Sequence, residues 1–308
     1  MLQLDGVSKV FQTGMFGGTA FTAVAGVTFG IERGEVVSLI GESGSGKTTV
    51  GRMILRLTGV TGGTITFDGQ DVSALGRRDL RGYYGRVQGV FQDPFSSYNP
   101  VFKADRVFEL IRGNYLGGLG KAEWDTKLRT SLEAVGLEPA DILGKYPHQL
   151  SGGQLQRLLI ARALLLDIQF LVADEIISML DASTRIDVLN LLGDLKARGL
   201  GILFITHDLS LGNYISGRTI ILRHGRIVEM GATDRVFGNP GHAYTKMLLA
   251  SVPHFGRKWE KREGEFAESD AMSAGLRPAD EFDARGHNVV PAAPALVEVE
   301  SDHYVAPS

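Results

Sequence analysis

The chain has 308 residues, no cysteine and a formal net charge of −3, with 44% hydrophobic and 22% charged residues. This is the composition of an ordinary globular fold of one or two domains, and its charge balance argues against a broad nucleic-acid footprint. The sequence excludes disulfides, thiolate zinc sites and cysteine-ligated iron–sulfur clusters; it has no apolar run of about 18 residues to span a membrane, and Met1-Leu2-Gln3-Leu4-Asp5 opens no secretory leader.

Leu2 to Phe11 and Ala23 to Ile31 alternate as strands do, and the Gly- and Thr-rich Gln12 to Thr22 is predicted as a mobile loop between them. The apolar run Val36-Val37-Ser38-Leu39-Ile40 leads into Gly41-Glu42-Ser43-Gly44-Ser45-Gly46-Lys47-Thr48-Thr49, and helical texture follows from Thr48 to Leu57. Strand, glycine-rich turn, Lys-Thr and helix in that order read as a P-loop. Glycines let the backbone curl so that successive N–H groups face one anion, and the helix start adds its partial positive charge. Lys47 can reach the outer phosphates and the Thr48 hydroxyl can ligate Mg²⁺. Gly63 to Phe67 reads as a strand ending in the Asp68-Gly69 turn, and Val87 to Phe91 as another, closed by Gln92.

The texture changes at Asp93-Pro94-Phe95-Ser96-Ser97-Tyr98-Asn99-Pro100, which has loop chemistry. Helical periodicity from Val101 to Leu116 and from Lys121 to Val135 predicts an α-helical subdomain, about 93–165, inserted into an α/β core. Leu150-Ser151-Gly152-Gly153-Gln154 opens a further helix with Ser151 as its N-cap. The free N–H groups at that start form a second anion site, which suggests two copies facing each other across a nucleotide.

The core resumes with the strand Ile168 to Ala173, which runs into Asp174-Glu175. Asp174 suits the Mg²⁺ shell of a P-loop ATPase, and Glu175 is placed to polarise the attacking water. Ala182 to Arg198 is helical, Gly201 to Thr206 is a buried strand ending at His207, and Thr219 to Arg223 with Arg226 to Met230 flank a His224-Gly225 hairpin turn. Strands alternating with helices give a mainly parallel sheet, whose ligands gather at the carboxyl ends of the strands. Residues 257–308 carry six Lys and Arg against eleven Asp and Glu and are rich in Ala and Pro, the composition of an extended, weakly packed appendage.

This combination of motifs resembles the ATP-binding cassette (ABC) ATPases over about residues 2–250. Leu150 to Gln154 followed by Gln156-Arg157 resembles the family signature, Ser178-Met179-Leu180-Asp181 its D-loop, and His207 its switch histidine. More narrowly, Gly41 to Arg52, Val90 to Pro100, Gly241 to Pro253 and Pro294 to Ala306 resemble the oligopeptide/dipeptide importer group. Relatives often carry cysteines in the C-terminal extension; their absence here means that no iron–sulfur cluster is carried over. Ile176-Ile177 depart from the family, which usually has Pro and a small or hydroxyl residue after the Glu, and Tyr98 stands where Leu is commoner.

The resemblance implies an α/β fold: a P-loop NTPase (RecA-like) core with an antiparallel β subdomain, the inserted helical subdomain and a C-terminal extension, with an ATPase domain over 1–256. It implies ATP and Mg²⁺ as ligands. Phe11, or Phe21 as its rival, would stack on adenine. Gly41, Glu42, Ser43, Gly44, Ser45, Gly46, Lys47, Thr48 and Thr49 would hold the phosphates, while Thr48, Gln92 and Asp174 would surround Mg²⁺. Glu175 would be the general base, with His207 steadying the γ-phosphate. Ser151, Gly152, Gly153 and Gln154 would act on a partner's ATP, and Asp181 would signal across the interface.

The implied partners are two transmembrane permease subunits, a second and different ATPase chain, and indirectly an extracytoplasmic solute-binding protein, at the cytoplasmic face of the membrane and without nucleic acid. The segment from Phe95 to Phe108, Tyr98 included, is the expected landing site for the permeases. The alternatives are importers of oligosaccharides or metal chelates, a soluble ABC ATPase acting on ribosomes or DNA, and a scaffold with dead ATP chemistry.

Overall fold

The computed structural model describes residues 1–12, 20–251 and 295–307. Two sheets organise it. The smaller is antiparallel and pairs β1 (Leu2–Gln12) with β2 (Ala20–Ile31), β4 (Gly62–Phe67) and β5 (Gln70–Asp71) in the order β2-β1-β4-β5. The larger has β3 (Val36–Ile40) at its centre, flanked by β8 (Gly201–Thr206) and β9 (Arg218–Arg223), with β7 (Phe170–Asp174) and β6 (Val87–Val90) beyond β8. These five strands are parallel, with Val36 opposite Ile202, Phe170 opposite Gly201 and Val87 opposite Phe170. The far edge turns antiparallel through β10 (Arg226–Ala232), β12 (His303–Val305) and β11 (Val297–Glu300).

Every residue of β3, β7 and β8 is buried, because both faces of the parallel sheet are covered. The strand period of two divides these residues between two core layers. Leu39, Val172, Leu203 and Ile205 meet α1 (Lys47–Ile54), Tyr83 of α2 (Arg77–Tyr84) and the inner face of the small sheet, including Leu2, Phe29 and Phe67. Val36, Leu171, Ala173, Ile202 and Phe204 meet α6 (Gly152–Leu164) and α7 (Ala182–Ala197). The inserted helices α3 (Arg106–Tyr115), α4 (Lys121–Glu133) and α5 (Pro139–Ile142) extend this second layer through Phe108, Trp124, Leu132 and Ile142. At the antiparallel edge, α8 (Leu209–Ile215), α9 (Thr233–Gly238) and α10 (Ala243–Ala250) pack on Ile40, Ile221 and Val228.

The structure departs from the sequence reading in four places. The predicted loop over Gln12 to Thr22 is shorter, since β1 runs to Gln12 and β2 starts at Ala20; residues 13–19 lie outside the described residues. The helix expected from Val101 starts only at Arg106, because the Asn99 side chain takes the Val101 N–H in a turn and Ala104 N–H bonds across to the Lys145 carbonyl. Tyr98 is not a surface aromatic. It is 7% exposed, and its hydroxyl donates to the Leu155 carbonyl of α6 at 3.1 Å; Phe108 is buried as well, whereas Phe95 and Phe102 are exposed.

The end of the C-terminal extension is not weakly packed. Residues 297–305 form a hairpin whose inner strand completes a ladder with β10, from Glu229 opposite Val305 to Gly231 opposite His303. Composition misleads there because a short strand on an existing sheet edge needs only a few inward side chains, here His303 and Val305.

Candidate nucleotide site

The carboxyl ends of β3, β6, β7 and β8 meet at one cavity of about 750 Å³, within the range typical of small-molecule sites. Gly41 to Gly44, Gly46, Lys47, Thr48 and Thr49 form its floor, and Gln92, Glu175 and His207 line its rim. The sheet therefore gathers four motifs spread over more than a hundred residues of chain, as the strand-end rule expects.

The P-loop fits a phosphate in four respects. Gly46, immediately before α1, has φ +109°, and a side chain there would also strike the Ala23 carbonyl, so only glycine lets the first turn of α1 open toward the cavity. No side chain caps that turn and no acid stands in it, so its N–H groups and partial positive charge face the cavity uncompensated. The buried Ser45 Oγ is without a hydrogen-bond partner. Lys47 is likewise buried, and its Nζ donates to the Gly41 and Glu42 carbonyls at 2.7 and 2.8 Å, a parked ammonium that an anion can draw off. Burial pushes its pKa down, while the nearby Glu175, Asp174 and Glu42 carboxylates oppose that shift.

The acids differ in setting. Asp174, the last residue of β7, is buried, and its Oδ1 accepts from the Thr48 hydroxyl at 3.3 Å. Burial holds its carboxyl above the ordinary range, against the pull of the Thr48 hydrogen bond. This hydroxyl–carboxylate pair beside the phosphate loop is a fitting donor set for a hard cation such as Mg²⁺. Glu175 leaves the strand with φ +51°, a left-handed turn rare for a side chain with a Cβ, and its N–H bonds to the Ile205 carbonyl at 2.9 Å. That twist turns its carboxylate to the cavity, where Oε1 lies 3.1 Å from Nδ1 of the half-exposed His207. A carboxylate can only accept, so Nδ1 carries the shared proton. Ile176 and Ile177 are both buried in the main core, so the turn is anchored by apolar packing where proline would have fixed it by its ring.

Phe11 and Phe21 are directly opposite across the β1–β2 ladder, hence on one face of the small sheet. Phe21 lines the cavity; Phe11 does not, and Lys9 lies 5.0 Å from its ring centroid. Ser151 to Gln154 also stand outside this cavity. Ser151 caps α6 as expected: its Oγ accepts from Gln154 N–H at 3.1 Å while Gln154 Oε1 accepts from Ser151 N–H at 2.9 Å. Asp181 is the N-cap of α7, accepting from Thr184 N–H and the Ser183 and Thr184 hydroxyls, and these bonds hold its carboxyl well below the usual range.

Sequence reasoning missed the wall supplied by α10. Leu248 and Ser251 line the cavity, and the Tyr244 hydroxyl accepts the Glu42 N–H at 3.1 Å. The Gly241 to Pro253 motif was the available signal, but nothing in its residue types points to phosphate chemistry. A second cavity, about 860 Å³, lies at the amino ends of the strands beside Gln169 and Leu200. It is the larger of the two, yet it gathers none of the motif residues, and its Lys127 is already paired with Asp167 at 2.8 Å.

Comparison with known proteins agrees with this geometry. The ABC transporter family model matches residues 24–178, and the model for the oligopeptide/dipeptide transporter C-terminal region matches residues 228–277. A Brucella ovis protein whose name assigns it provisionally to peptide-import ATP binding is 46% identical over 82% of this chain and 78% of its own length. The dipeptide transport ATP-binding protein DppF of Lactococcus lactis is 44% identical, covering 82% of this chain and 81% of its own. A solved ATP-binding cassette, a dimer in a post-hydrolysis state bound to ADP and Pi, superposes with a TM-score of 0.68 at 29% identity, covering 76% of this chain and 99% of its own. The chain belongs to the ABC transporter family, as an ATP-binding cassette with the C-terminal region of the oligopeptide/dipeptide branch.

Proposed function

We propose that this chain is the ATP-binding and ATP-hydrolysing subunit of a peptide importer, powering uptake through two separate permease subunits. The observation that carries the reading is the convergence of Lys47, the Thr48–Asp174 pair, Gln92 and the Glu175–His207 pair on one cavity. Lys47 leaves the Gly41 and Glu42 carbonyls for the outer phosphates, and the open first turn of α1 receives the β-phosphate. Mg²⁺ bound by Thr48, Gln92 and, through water, Asp174 would neutralise phosphate charge. Glu175 accepts a proton from the attacking water, and His207, oriented by its bond to Glu175, steadies the γ-phosphate. The aromatic pair Phe11 and Phe21 supplies the platform for adenine; exchanging each for alanine separately and measuring ATP affinity identifies which ring bears the base.

Ser151 to Gln154, lying outside the cavity of their own chain, complete the site of a second ATPase chain, a different subunit in the working complex. Asp181 fixes the start of α7 next to that interface. Among the described residues no helix is long and apolar enough to cross a membrane, so transport requires partner chains. The exposed rings of Phe95 and Phe102 with Val101 and Leu110 offer them an apolar landing surface, just after Gln92 and with Phe95 beside Gly152 of the signature. On this reading the chain works at the cytoplasmic face of the membrane, bound to its permeases.

The test is reconstitution of the chain with its cognate permeases and binding protein in proteoliposomes. Peptide-stimulated ATP hydrolysis with peptide accumulation is the expected result. Hydrolysis that responds to ribosomes or DNA and ignores permeases would overturn the reading.

A further inference from the structure

Two segments of this chain take no part in the chemistry above: the Gly241 to Pro253 motif and the C-terminal hairpin. The structure joins residues 241–251 of the first to the second. At their meeting point lies Glu229 on β10, fully buried, with both carboxylate oxygens engaged. Oε1 accepts from Nε2 of His303 at 2.6 Å and from Gly241 N–H at 2.7 Å, and Oε2 accepts from His242 N–H at 3.0 Å. His303, also fully buried, belongs to β12 of the tail, while Gly241 and His242 are the entry to α10. The fit is close: a Cβ at Gly241 would lie 2.5 Å from Cγ2 of Val305, so the tail packs directly on that entry. From that entry α10 presents the Tyr244 hydroxyl to the Glu42 N–H of the P-loop, and Leu248 and Ser251 at its far end line the cavity.

We propose that the C-terminal hairpin is a clamp on the nucleotide site, in which His303, through Glu229, fixes the start of α10 and so holds Tyr244 against the P-loop. Tyr244, Glu229 and His303 are positioning residues, and none of them needs to touch ATP. The physical reason for the arrangement lies in α10 itself. It is eight residues long, too short to be stable unaided, and its first turn has N–H groups to satisfy. Glu229 satisfies the two backbone donors just before it, and a buried carboxylate without His303 would be left without a donor suited to its charge. Removing the tail contact therefore loosens the entry of α10 and, with it, the cavity wall that α10 supplies.

The inference rests on ATP binding at the P-loop, and binding and global stability are read separately. In the full-length chain, affinity for a non-hydrolysable ATP analogue is measured by calorimetry beside the thermal midpoint without nucleotide. Tyr244→Phe keeps the ring and deletes the hydroxyl; affinity falls by roughly fivefold, the worth of one neutral hydrogen bond, with the midpoint almost unmoved. His303→Ala weakens the analogue by a similar factor, and His303→Gln, whose amide can still donate to Glu229, restores most of it. The double variant Tyr244→Phe/His303→Ala binds no more weakly than the worse single variant, since both act through one contact. Unchanged affinity in a folded His303→Ala chain, or strictly additive losses in the double variant, would overturn the clamp. Loss of all analogue binding in the unsubstituted chain would strike the ATP assignment instead.

Discussion

The chain opens two helices with glycine-rich turns that expose backbone N–H groups, and the structure treats them oppositely. At α1 the turn is uncapped, its lysine is buried, and the cavity beside it is walled by four strand ends from the same chain. At α6 the same kind of turn closes on itself through the Ser151–Gln154 capping box and stands outside that cavity. The first is a site whose ligand completes it. The second is already rigid and presents a finished shape outward. On the proposed reading, one helix-start geometry serves two roles, distinguished by what the rest of the fold puts opposite it.

Several substitutions break this contrast, beginning with the most severe. Glu175→Gln keeps the size and the left-handed turn but cannot accept a proton; phosphate release drops by about 10²–10³-fold while ATP affinity stays, as removal of one well-placed polar group does. Asp174→Asn acts on both function and stability. Burial raises the Asp174 carboxyl above its ordinary value, so the protonated form suits the folded chain. Its stabilising contribution is present below the unfolded-state value of about 3.9 and is lost as pH rises through the raised folded value. At neutral pH the permanently neutral asparagine therefore raises the nucleotide-free thermal midpoint, and the gap narrows as pH falls, whereas Mg²⁺-dependent hydrolysis collapses. Calorimetry between pH 8 and pH 5 with a parallel phosphate assay checks both signs.

The signature side is tested more gently. Ser151→Ala removes the cap, worth about 1 kcal/mol of helix stability. Affinity of the isolated chain for ATP should be unmoved, while ATP-driven pairing with the second subunit, followed by light scattering, weakens. Smallest is Tyr98→Phe, which deletes the hydroxyl bonded to Leu155 and lowers the unfolding free energy by about 1 kcal/mol without releasing the permeases. Loss of permease co-purification in that variant would put Tyr98 back on the docking surface.

These contrasts follow what the residues themselves declare. The P-loop is legible because its chemistry is local: glycine, lysine and threonine act through nine consecutive residues between a strand and a helix. The Ser151 cap, the Asp174-Glu175 strand end and the histidine after β8 are legible for the same reason, each being set by an element boundary. Tyr98 was misread because a loop sequence carries no period from which to tell an inward aromatic from an outward one; Phe95 and Tyr98, three residues apart, go opposite ways.

The sequence alone determined that this is a P-loop protein of the ATP-binding cassette kind, because periodicity and short motifs are properties of neighbouring residues. Only the tertiary structure decided which distant groups meet: Thr48 with Asp174, Glu175 with His207, Glu42 with Tyr244, Glu229 with His303. Thr48 with Asp174, Glu175 with His207 and Glu229 with His303 are brought together by strands whose order in the sheet is not their order in the chain, and Glu42 meets Tyr244 because α10 packs beside the P-loop. The buried Glu229–His303 pair marks the limit most clearly. Read along the sequence, Glu229 falls in the Arg226 to Met230 strand and His303 in the importer-like Pro294 to Ala306 stretch, and neither residue type marks the other as its partner; in the fold they are joined in the wall behind the nucleotide site, because a parallel sheet that ends in an antiparallel edge had room for a further hairpin.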